Sequence, residues 1–444
     1  MLTRRVVVTG LGAVSGFGVG MAALWDGLCA GTSSIRPIAR FDASNFPTNL
    51  AAEVENFSAK DFVPKHYRKA VKVMARDIEL AVAAAKDAVE SAKLITRGTL
   101  PEDSTDATSY KPPRMGCHIG AGLIAAEADE LTAALSKAVT PDNTFDIRAW
   151  GSGGMEHITP LWMLKYLPNM LACHLTIIHD CQGPSNTITC AEASGLLSVS
   201  ESCRVIERGD AELCFTGGAE SKVNLMGLLR ADFAGRLART TPATDPAGVV
   251  RPYDENAGGG VLGEGAGIVV LEAYDAAKAR GAPMAAELLG CGASHSPMRP
   301  ANTPFDDADE GCQYAIENAL EDADCKPDEI DCIVLQGSGV RAIDGGEFGA
   351  LRTVFGARLA EIETITLAPA IGHCMAGAGG LLFAAACKAV QTQTLPARIH
   401  HGTPAPGIRA SASTSRPAKL GRVLIVSSSL AGQNAAAVIG SPPA

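Results

Sequence analysis

Apolar stretches and stretches of small and polar residues alternate along this chain, and the alternation predicts strands and helices in turn. Arg5–Val14 is an almost continuous apolar run with a glycine-rich turn at its end, which is typical of a buried strand. Asp77–Ala92 is rich in alanine and predicts a helix. Met115–Gly120 predicts a second buried strand, and Ala125–Lys137 predicts a second helix. This order of elements favours the α/β class.

Two stretches depart from this alternation. Glu102–Pro113 is polar and contains prolines, so we expect an exposed loop. Trp150–Leu171 combines glycine, proline, tryptophan and methionine in an irregular pattern. Large apolar side chains in such a segment form either a cap or subunit contact, or an ordinary buried connection. The sequence leaves both interpretations open.

A weak internal repeat relates the two parts of the chain. Ile188–Val205 and Ile365–Val390 each predict a strand, a tight turn and a helix of small residues. Helices rich in Ala, Gly and Ser on all sides are typically buried. Two similar halves would bring the two helix N-termini together at a shared centre. We place the first half, with cap and dimer insertions, at residues 1–245 and the second at residues 246–444.

The composition restricts the class of partner. The chain has 444 residues, is 47% hydrophobic and carries a formal net charge of −10. These values predict a large core and disfavour nucleic acids and anionic membranes as partners. An acidic carrier protein remains possible, because a local basic patch can lie on an acidic protein. No apolar run reaches the roughly 18–20 residues of a membrane-spanning helix.

The cysteines also bear on metals and location. The chain has 13 of them, scattered and without a CxxC pair, so we expect no zinc site. We predict no bound metal or cofactor. The first strand begins at Arg5 without a secretory signal before it, and we expect a cytoplasmic protein with reduced thiols.

The segment around Glu192 carries the candidate chemistry. In Thr189-Cys190-Ala191-Glu192-Ala193-Ser194-Gly195 a predicted strand runs into a tight turn and a helix of small residues. Such a turn presents one side chain at a helix N-terminus, beside backbone N–H groups that can bind an oxyanion. This arrangement suits a nucleophile, yet the residue at the turn is Glu192, and a carboxylate cannot do the work of a thiolate.

Several short motifs, each weak alone, follow one another in a specific order and spacing. They are Arg5–Gly12, Gly183–Ser185, Gly209–Ala211, Gly217–Glu220, Arg251–Asp254, Leu262–Gly267, Gly372–His373 and Ala376–Ala378. Over nearly its whole length the chain thereby resembles the β-ketoacyl-acyl-carrier-protein synthases, the elongating condensing enzymes of the thiolase superfamily. The resemblance implies a five-layered α/β/α/β/α fold of two pseudo-symmetric halves, in a dimer. It also implies acyl units delivered on the phosphopantetheine of an acyl carrier protein.

The resemblance also implies a catalytic set that this chain lacks. Active family members use a Cys that takes the acyl chain, two His that assist malonyl decarboxylation, and sometimes a supporting Lys. Carried over by motif, the Cys position falls on Glu192, the first His on Gln336 and the Lys on Ala368. Only His373 matches its counterpart, the second His. We expect His373 either to be a hydrogen-bonded relic or to keep a functional role.

The loop that gates acyl entry in the family is altered as well. It is a Gly-Phe-Gly-Gly type loop that donates an oxyanion N–H, and it matches a segment with Ser428, Leu430 and Gly432, of which Gly432 fits. A local shift that makes Cys190 the nucleophile is the alternative assignment; otherwise Cys190 packs on the incoming strand. The sequence leaves two alternatives for the acyl pocket, which is either open or filled by a side chain. The side chains that could fill it are Trp162, Phe233 and Leu430.

An intact framework without the catalytic set is typical of chain length factors, as the resemblance implies. In type II polyketide systems, including aromatic and aryl polyene types, such a paralogue pairs with an active ketosynthase and helps to shape the acyl tunnel. We therefore expect a subunit of polyketide or fatty-acid chain elongation that forms a heterodimer with an active ketosynthase, or else a homodimer. The alternatives are a malonyl-carrier-protein decarboxylase or an acyltransferase that uses Glu192 or Cys190. An anionic Glu192 would repel a developing enolate, which disfavours decarboxylation.

Overall fold

The computed structural model of the protein describes residues 4–300, 303–400, 402–409 and 414–443. Within these ranges the strands are β1 Val6–Ser15, β2 Gly18–Val19, β3 Arg36–Pro37, β4 Leu50–Ala51, β5 Met115–Gly120, β6 Ser185–Ile188, β7 Leu213–Glu220, β8 Gly265–Ala273, β9 Ala286–His295, β10 Cys332–Leu335, β11 Glu363–Thr366, β12 Thr394–Leu395, β13 Arg416–Pro417, β14 Arg422–Ser428 and β15 Gln433–Gly440. The helices are α1 Met21–Ala30, α2 Arg76–Ser91, α3 Ala128–Lys137, α4 Ile147–Ser152, α5 Met170–His179, α6 Ser194–Glu207, α7 Leu225–Phe233, α8 Tyr274–Ala279, α9 Glu310–Asp322, α10 Arg341–Phe355, α11 Ala368–Ile371 and α12 Ala376–Thr392.

The long strands form two copies of one pairing pattern. The first copy has the order β6-β5-β7-β8-β1, and the second has the order β11-β10-β14-β15-β9. In each copy the second strand runs parallel to both of its neighbours, and the remaining pairs are antiparallel. The two copies meet where the start of β1 pairs with β9 at Val6, Val7 and Val8. The fold therefore consists of two similar halves, as the sequence repeat predicts.

Helices pack on both faces of each sheet and produce five layers. Helices α2 and α5 cover the first sheet on the outside. Helix α9 packs on the second sheet, and α10 shares a buried apolar cluster with α9 and with strands β10 and β14. Between the sheets α6 packs against α12. Glycines allow this close approach, because a Cβ on Gly195 of α6 would lie 2.6 Å from the backbone nitrogen of Gly380 in α12. The α/β/α/β/α architecture predicted from the sequence is confirmed.

The predicted elements agree with the observed ones to within a few residues. The strand predicted at Met115–Gly120 has those bounds, whereas the helix predicted from Ala125 begins at Ala128. The boundary between the halves at 245/246 stays a prediction. Strand β8 pairs with β7 and β1 of the first sheet, so we propose that the first half extends to Ala273.

The stretch Trp150–Leu171 is an exposed segment of short helical turns rather than a buried connection. It contains the end of α4 and 3-10 turns at Gly154–His157 and Trp162–Tyr166. Leu161 and Met163 are 67% and 65% exposed. Among the described residues no helix is both long enough and apolar enough to cross a membrane.

Candidate functional site

The turn before α6 presents Glu192 at the centre of the molecule. Ala191, Glu192 and Ala193 form a 3-10 turn that runs directly into α6. Ala191 has a φ of 49°, a left-handed conformation that is uncommon for a residue with a Cβ. The hydroxyl of Ser194 holds the turn, because it accepts from the Cys190 N–H at 2.7 Å and donates to the Ala191 carbonyl at 2.6 Å. The sharp turn aims Glu192 inward, where its side chain is fully buried.

Arg236, which was not among the residues predicted from the sequence, pairs with Glu192. Its Nη1 donates to Oε1 of Glu192, and its side chain is 12% exposed. Oε2 of Glu192 receives no hydrogen bond from another described residue. A buried carboxylate generally requires a cation, so an acidic residue at a turn between a predicted strand and a small-residue helix is the signal that could have pointed to an arginine or lysine partner.

His373 and Gln336 lie on the other side of this site. Gln336 follows β10, and its Nε2 lies 3.2 Å from Nε2 of His373. Its other end, Oε1, lies 2.9 Å from Oγ of Ser427, and the same hydroxyl lies 3.0 Å from the Glu192 carbonyl. The structure thus brings together three residues that the sequence predicted from distant positions. Oγ of Ser427 lies within hydrogen-bond distance of Gln336 and of the Glu192 carbonyl, and it donates its one proton to one of these acceptors at a time.

Met375 contacts both sides of the site. Its Sδ lies 3.2 Å from Nδ1 of His373 and 3.8 Å from Nη1 of Arg236. Its backbone, at φ 48° and ψ −123°, adopts a conformation that favours glycine. Backbone strain of this kind persists only where surrounding contacts hold it. Met375 is therefore held against His373 and Arg236 by the packing at the start of α12.

The charges of the site are set by burial and by Arg236. Burial would raise the pKa of Glu192, but the charge of Arg236, together with that of His373 when His373 is protonated at low pH, outweighs burial and holds this pKa below its ordinary value. Burial lowers the pKa of His373 to about 4; the Glu192 charge opposes this shift and the Arg236 charge adds to it. Near neutral pH the site therefore contains an anionic Glu192 and a neutral His373.

Ala368 lines a small cavity beside His373 and Gln336. The cavity has a volume of about 20 Å³. A single water needs about 10–15 Å³, so the cavity has room for about one water molecule. The remaining lining residues are Leu367, Ile371, Gly372, Cys374, Ala378, Leu381 and Leu382. None of the three side chains considered as pocket fillers, Trp162, Phe233 and Leu430, is among them. Phe233 is 80% exposed.

The altered loop lies beside a second small space rather than against Glu192. Ser428 and Leu430 line a cavity of about 10 Å³ together with Arg299 and Glu347. Gly432 has a φ of 91°, and its carbonyl accepts from the Ser296 N–H at 2.8 Å. Ser427, just before the loop, makes the contact to the Glu192 carbonyl. The loop therefore reaches the site through Ser427.

Cys190 does not occupy the turn. It precedes the 3-10 turn as its N-terminal flanking residue and is half-buried. Burial raises the pKa of its thiol, which keeps it protonated near neutral pH. A nucleophilic cysteine needs a lowered pKa instead. The described residues also contain no cluster of three or more His, Cys, Asp or Glu side chains placed to hold a metal ion.

The fold and the position of this site define a thiolase-like ketosynthase. The family model for the N-terminal domain of β-ketoacyl synthases matches residues 3–277, and the model for the C-terminal domain matches residues 285–401. The chain therefore belongs to the β-ketoacyl synthase family.

Curated relatives of this family match most of the chain. The 3-oxoacyl-[acyl-carrier-protein] synthase 2 of Coxiella burnetii is 31% identical over 409 residues, which cover 92% of this chain and 91% of that protein. The protein of the same name from Staphylococcus aureus strain N315 is 28% identical over 405 residues, covering 91% and 89%.

Solved structures match the whole fold. The ishigamide ketosynthase/chain length factor superposes with a TM-score of 0.81 at 29% identity and covers 99% of this chain and 100% of that chain. A type II polyketide acyl-carrier protein in complex with its ketosynthase bound to the hexaketide superposes with a TM-score of 0.82 at 22% identity, with the same coverage. The second likeness shows the fold alone.

Proposed function

We propose that this chain is a chain-length-factor-like subunit, a non-condensing partner of an active ketosynthase in type II polyketide or fatty-acid chain elongation. The observation that carries the proposal is Glu192, a buried, salt-bridged carboxylate at the turn where condensation needs a thiolate. Gln336 faces His373 where a second histidine would be needed, and Ala368 offers no amine. The likeness to the ishigamide ketosynthase/chain length factor supports the same class of system.

The geometry favours this role over a decarboxylase or an acyltransferase. An enolate or an oxyanion needs preorganised donors in an open site. Here Nε2 of His373 faces the Gln336 amide, and the anionic Glu192 would repel a developing negative charge. The cavity of about 20 Å³ has no room for a malonyl group. Carbon dioxide release from malonyl-carrier protein by the isolated chain would favour the alternative.

The proposed contact with the ketosynthase lies on one side of the first sheet. Strand β6 is the outer strand of that sheet, and its Ser185 and Asn186 are exposed. An unpaired edge is a template for another chain. Large apolar side chains that are more than half exposed lie in the same part of the chain, and we call them the cap surface. They are Leu123, Phe145, Ile147, Met155, Leu161, Met163 and Ile177.

Co-expression with the active ketosynthase tests the heterodimer. We expect a stable 1:1 complex by size-exclusion chromatography with light scattering, and a changed product length when this chain is present. Met163→Lys should weaken the complex at least tenfold, because Met163 belongs to the cap surface. Met298→Lys is the matched control, since Met298 is 66% exposed and lies outside that surface. Isolation only as a homodimer, with no effect on the ketosynthase, would contradict the proposal.

A basic segment on this acidic protein supports a carrier-protein partner. The 3-10 segment Lys65–Val73 contains no acidic residue, and its Lys65, Arg68, Lys69 and Lys72 are exposed. The chain as a whole carries a net charge of −10, so this concentration of positive charge stands out locally. Complementary charge guides docking and speeds association. We propose that an acidic acyl carrier protein, which brings the phosphopantetheine, docks here in the cytoplasm.

Charge reversal tests this docking. The double variant Arg68→Glu/Lys69→Glu should weaken binding of the carrier protein at least tenfold at low salt, and wild-type binding should weaken as salt is added. Lys326→Glu, an exposed lysine on the second half, is the control and should bind as the wild type does. Equal affinities for all three proteins would rule out this surface.

A further inference from the structure

The arginine beside Glu192 is held in place by its own backbone. The Arg236 carbonyl accepts from the Gly260 N–H at 2.8 Å, and Ala238 N–H donates to the Gly260 carbonyl at 2.9 Å. The next residue of that extended segment, Val261, accepts from the His373 N–H at 2.7 Å. One extended segment therefore positions both Arg236 and His373. The guanidinium is brought to Glu192 by a fixed backbone and not by a mobile loop.

The arginine also takes up space. Its Nη1 contacts both Oε1 of Glu192 and Sδ of Met375, so the side chain lies directly in front of the turn. Glu192 is fully buried beneath it, and the neighbouring cavity beside His373 measures about 20 Å³. An acyl chain attached at position 192 would have to pass through the volume that the Arg236 side chain and Met375 now occupy.

We propose that Arg236 is the residue that closes this site to acyl chains. Its guanidinium neutralises Glu192, and its side chain fills the space that a covalently held chain would need. The inference deepens the proposed non-condensing function, and it rests on that function. It has a specific consequence: a thiol restored at position 192 remains inaccessible as long as Arg236 is present.

Alkylation of an introduced thiol tests the inference. The variants are Glu192→Cys, Glu192→Cys/Arg236→Ala and, as a matched control, Glu192→Cys/Arg239→Ala, since Arg239 is an exposed arginine on the same segment. Each is treated with an iodoacetamide that carries an eight-carbon chain. The thiol sulfur forms a bond to carbon, the carbon–iodine bond breaks, iodide leaves, and the thiol proton goes to the buffer. Peptide mass spectrometry follows labelling at position 192 separately from the native cysteines.

We expect the Arg236→Ala double variant to be labelled at least tenfold faster than Glu192→Cys, and the Arg239→Ala control to be as slow as Glu192→Cys. A guanidinium beside a thiol lowers the pKa of that thiol, so reactivity alone would favour the variant that keeps Arg236. Faster labelling after removal of Arg236 therefore reports access. Equal rates in Glu192→Cys and in the Arg236→Ala double variant would overturn the inference.

The design also separates this inference from the proposed function and from misfolding. The labelling uses the isolated chain, so a failure to bind a ketosynthase would not change its result. Conversely, rapid labelling of Glu192→Cys would overturn only the inference about Arg236, and the complex with the ketosynthase would still be tested by co-expression. The double variant removes both charges and leaves no unpaired buried carboxylate. If its melting temperature nevertheless falls, Glu192→Cys/Arg236→Val keeps more apolar volume and should still be labelled faster than Glu192→Cys.

Discussion

Replacing Arg236 by methionine measures what its ion pair with Glu192 contributes to stability. Methionine keeps much of the length of the side chain and removes the charge. The Glu192 carboxylate is fully buried and loses the guanidinium that binds its Oε1. Breaking a buried ion pair by removal of one partner costs about 3–5 kcal/mol, because the remaining charge is left without compensation. We expect Arg236→Met to destabilise the protein by this amount.

The expected loss in melting temperature follows from the size of the chain. At about 2.1 cal/mol/K per residue, 444 residues unfolding together have an unfolding entropy of about 0.9 kcal/mol/K. A loss of about 3–5 kcal/mol then lowers the melting temperature by about 3–5 °C. Calorimetry or dye-based thermal unfolding resolves a shift of this size.

A double-mutant cycle isolates the pair from other effects of the substitution. In a Glu192→Gln background no carboxylate remains, so adding Arg236→Met should cost about 1 °C or less. The pH dependence gives a second check. The folded-state pKa of Glu192 lies below its ordinary value, so the pair stabilises the protein above about pH 4.3 and its contribution is lost as the pH falls through the folded pKa. The difference between wild type and Arg236→Met should therefore be large at pH 7 and should shrink as the pH falls through the lowered folded-state pKa of Glu192.

Equal destabilisation by Arg236→Met in the wild-type and Glu192→Gln backgrounds would refute this reasoning. It would show that the Arg236 side chain stabilises the protein through its packing against Met375 rather than through its charge. A difference between wild type and Arg236→Met that stays unchanged from pH 7 to the lowest pH at which both proteins remain folded would contradict the assignment of charge to Glu192.

Three further outcomes are expected. Gly432→Ala should lower the melting temperature by several degrees, because the new Cβ would lie 1.8 Å from the Ser296 carbonyl oxygen at a φ of 91°, whereas Gly151→Ala, in open space, should not. Burial raises the pKa of Glu347 to about 8, so its ionisation costs stability as the pH rises above its ordinary pKa, and Glu347→Gln should lessen the fall in melting temperature between pH 6 and pH 9. Cys190→Ala should leave ketosynthase binding unchanged, and a loss of binding would assign that thiol a role.

The architecture of two similar halves could be predicted from the sequence, because it depends on patterns of residue type that tolerate substitution at single positions. The repeat of strand, turn and small-residue helix at Ile188–Val205 and Ile365–Val390 reflects the packing of α6 against α12, where glycines set the distance. The same repeat predicted that Glu192 and His373 come together, since each lies at the N-terminus of one of those helices. The roles of these residues stay predictions, whereas their proximity is observed.

The residues that balance the charge and fill the space around Glu192 could not be predicted from the motifs. Arg236 lies 44 residues from Glu192 in the sequence, in a segment between motifs. Its pairing with Glu192 depends on the position of its guanidinium in three dimensions, which a motif does not encode. The same holds for Met375, whose strained backbone and double contact leave no trace in a spacing pattern. The boundary between the halves at 245/246 likewise stays a prediction, because β8 follows a long connection after α7 before it joins the first sheet.

Glu192 and Gln336, which stand where the family has catalytic residues, both have polar partners in the site. A buried polar group without a hydrogen bond costs about 1–3 kcal/mol, so each buried polar end without a partner lowers the stability of the site. Gln336 uses both ends of its amide, one toward His373 and one toward Ser427. Arg236 binds Oε1 of Glu192, whereas Oε2 has no partner among the described residues. A histidine at position 336 would offer a ring nitrogen to the Ser427 hydroxyl in place of the amide carbonyl. The exchange at 336 is therefore compensated at both ends of the side chain, and the exchange at 192 is compensated at one of the two carboxylate oxygens, which agrees with the proposed non-condensing role.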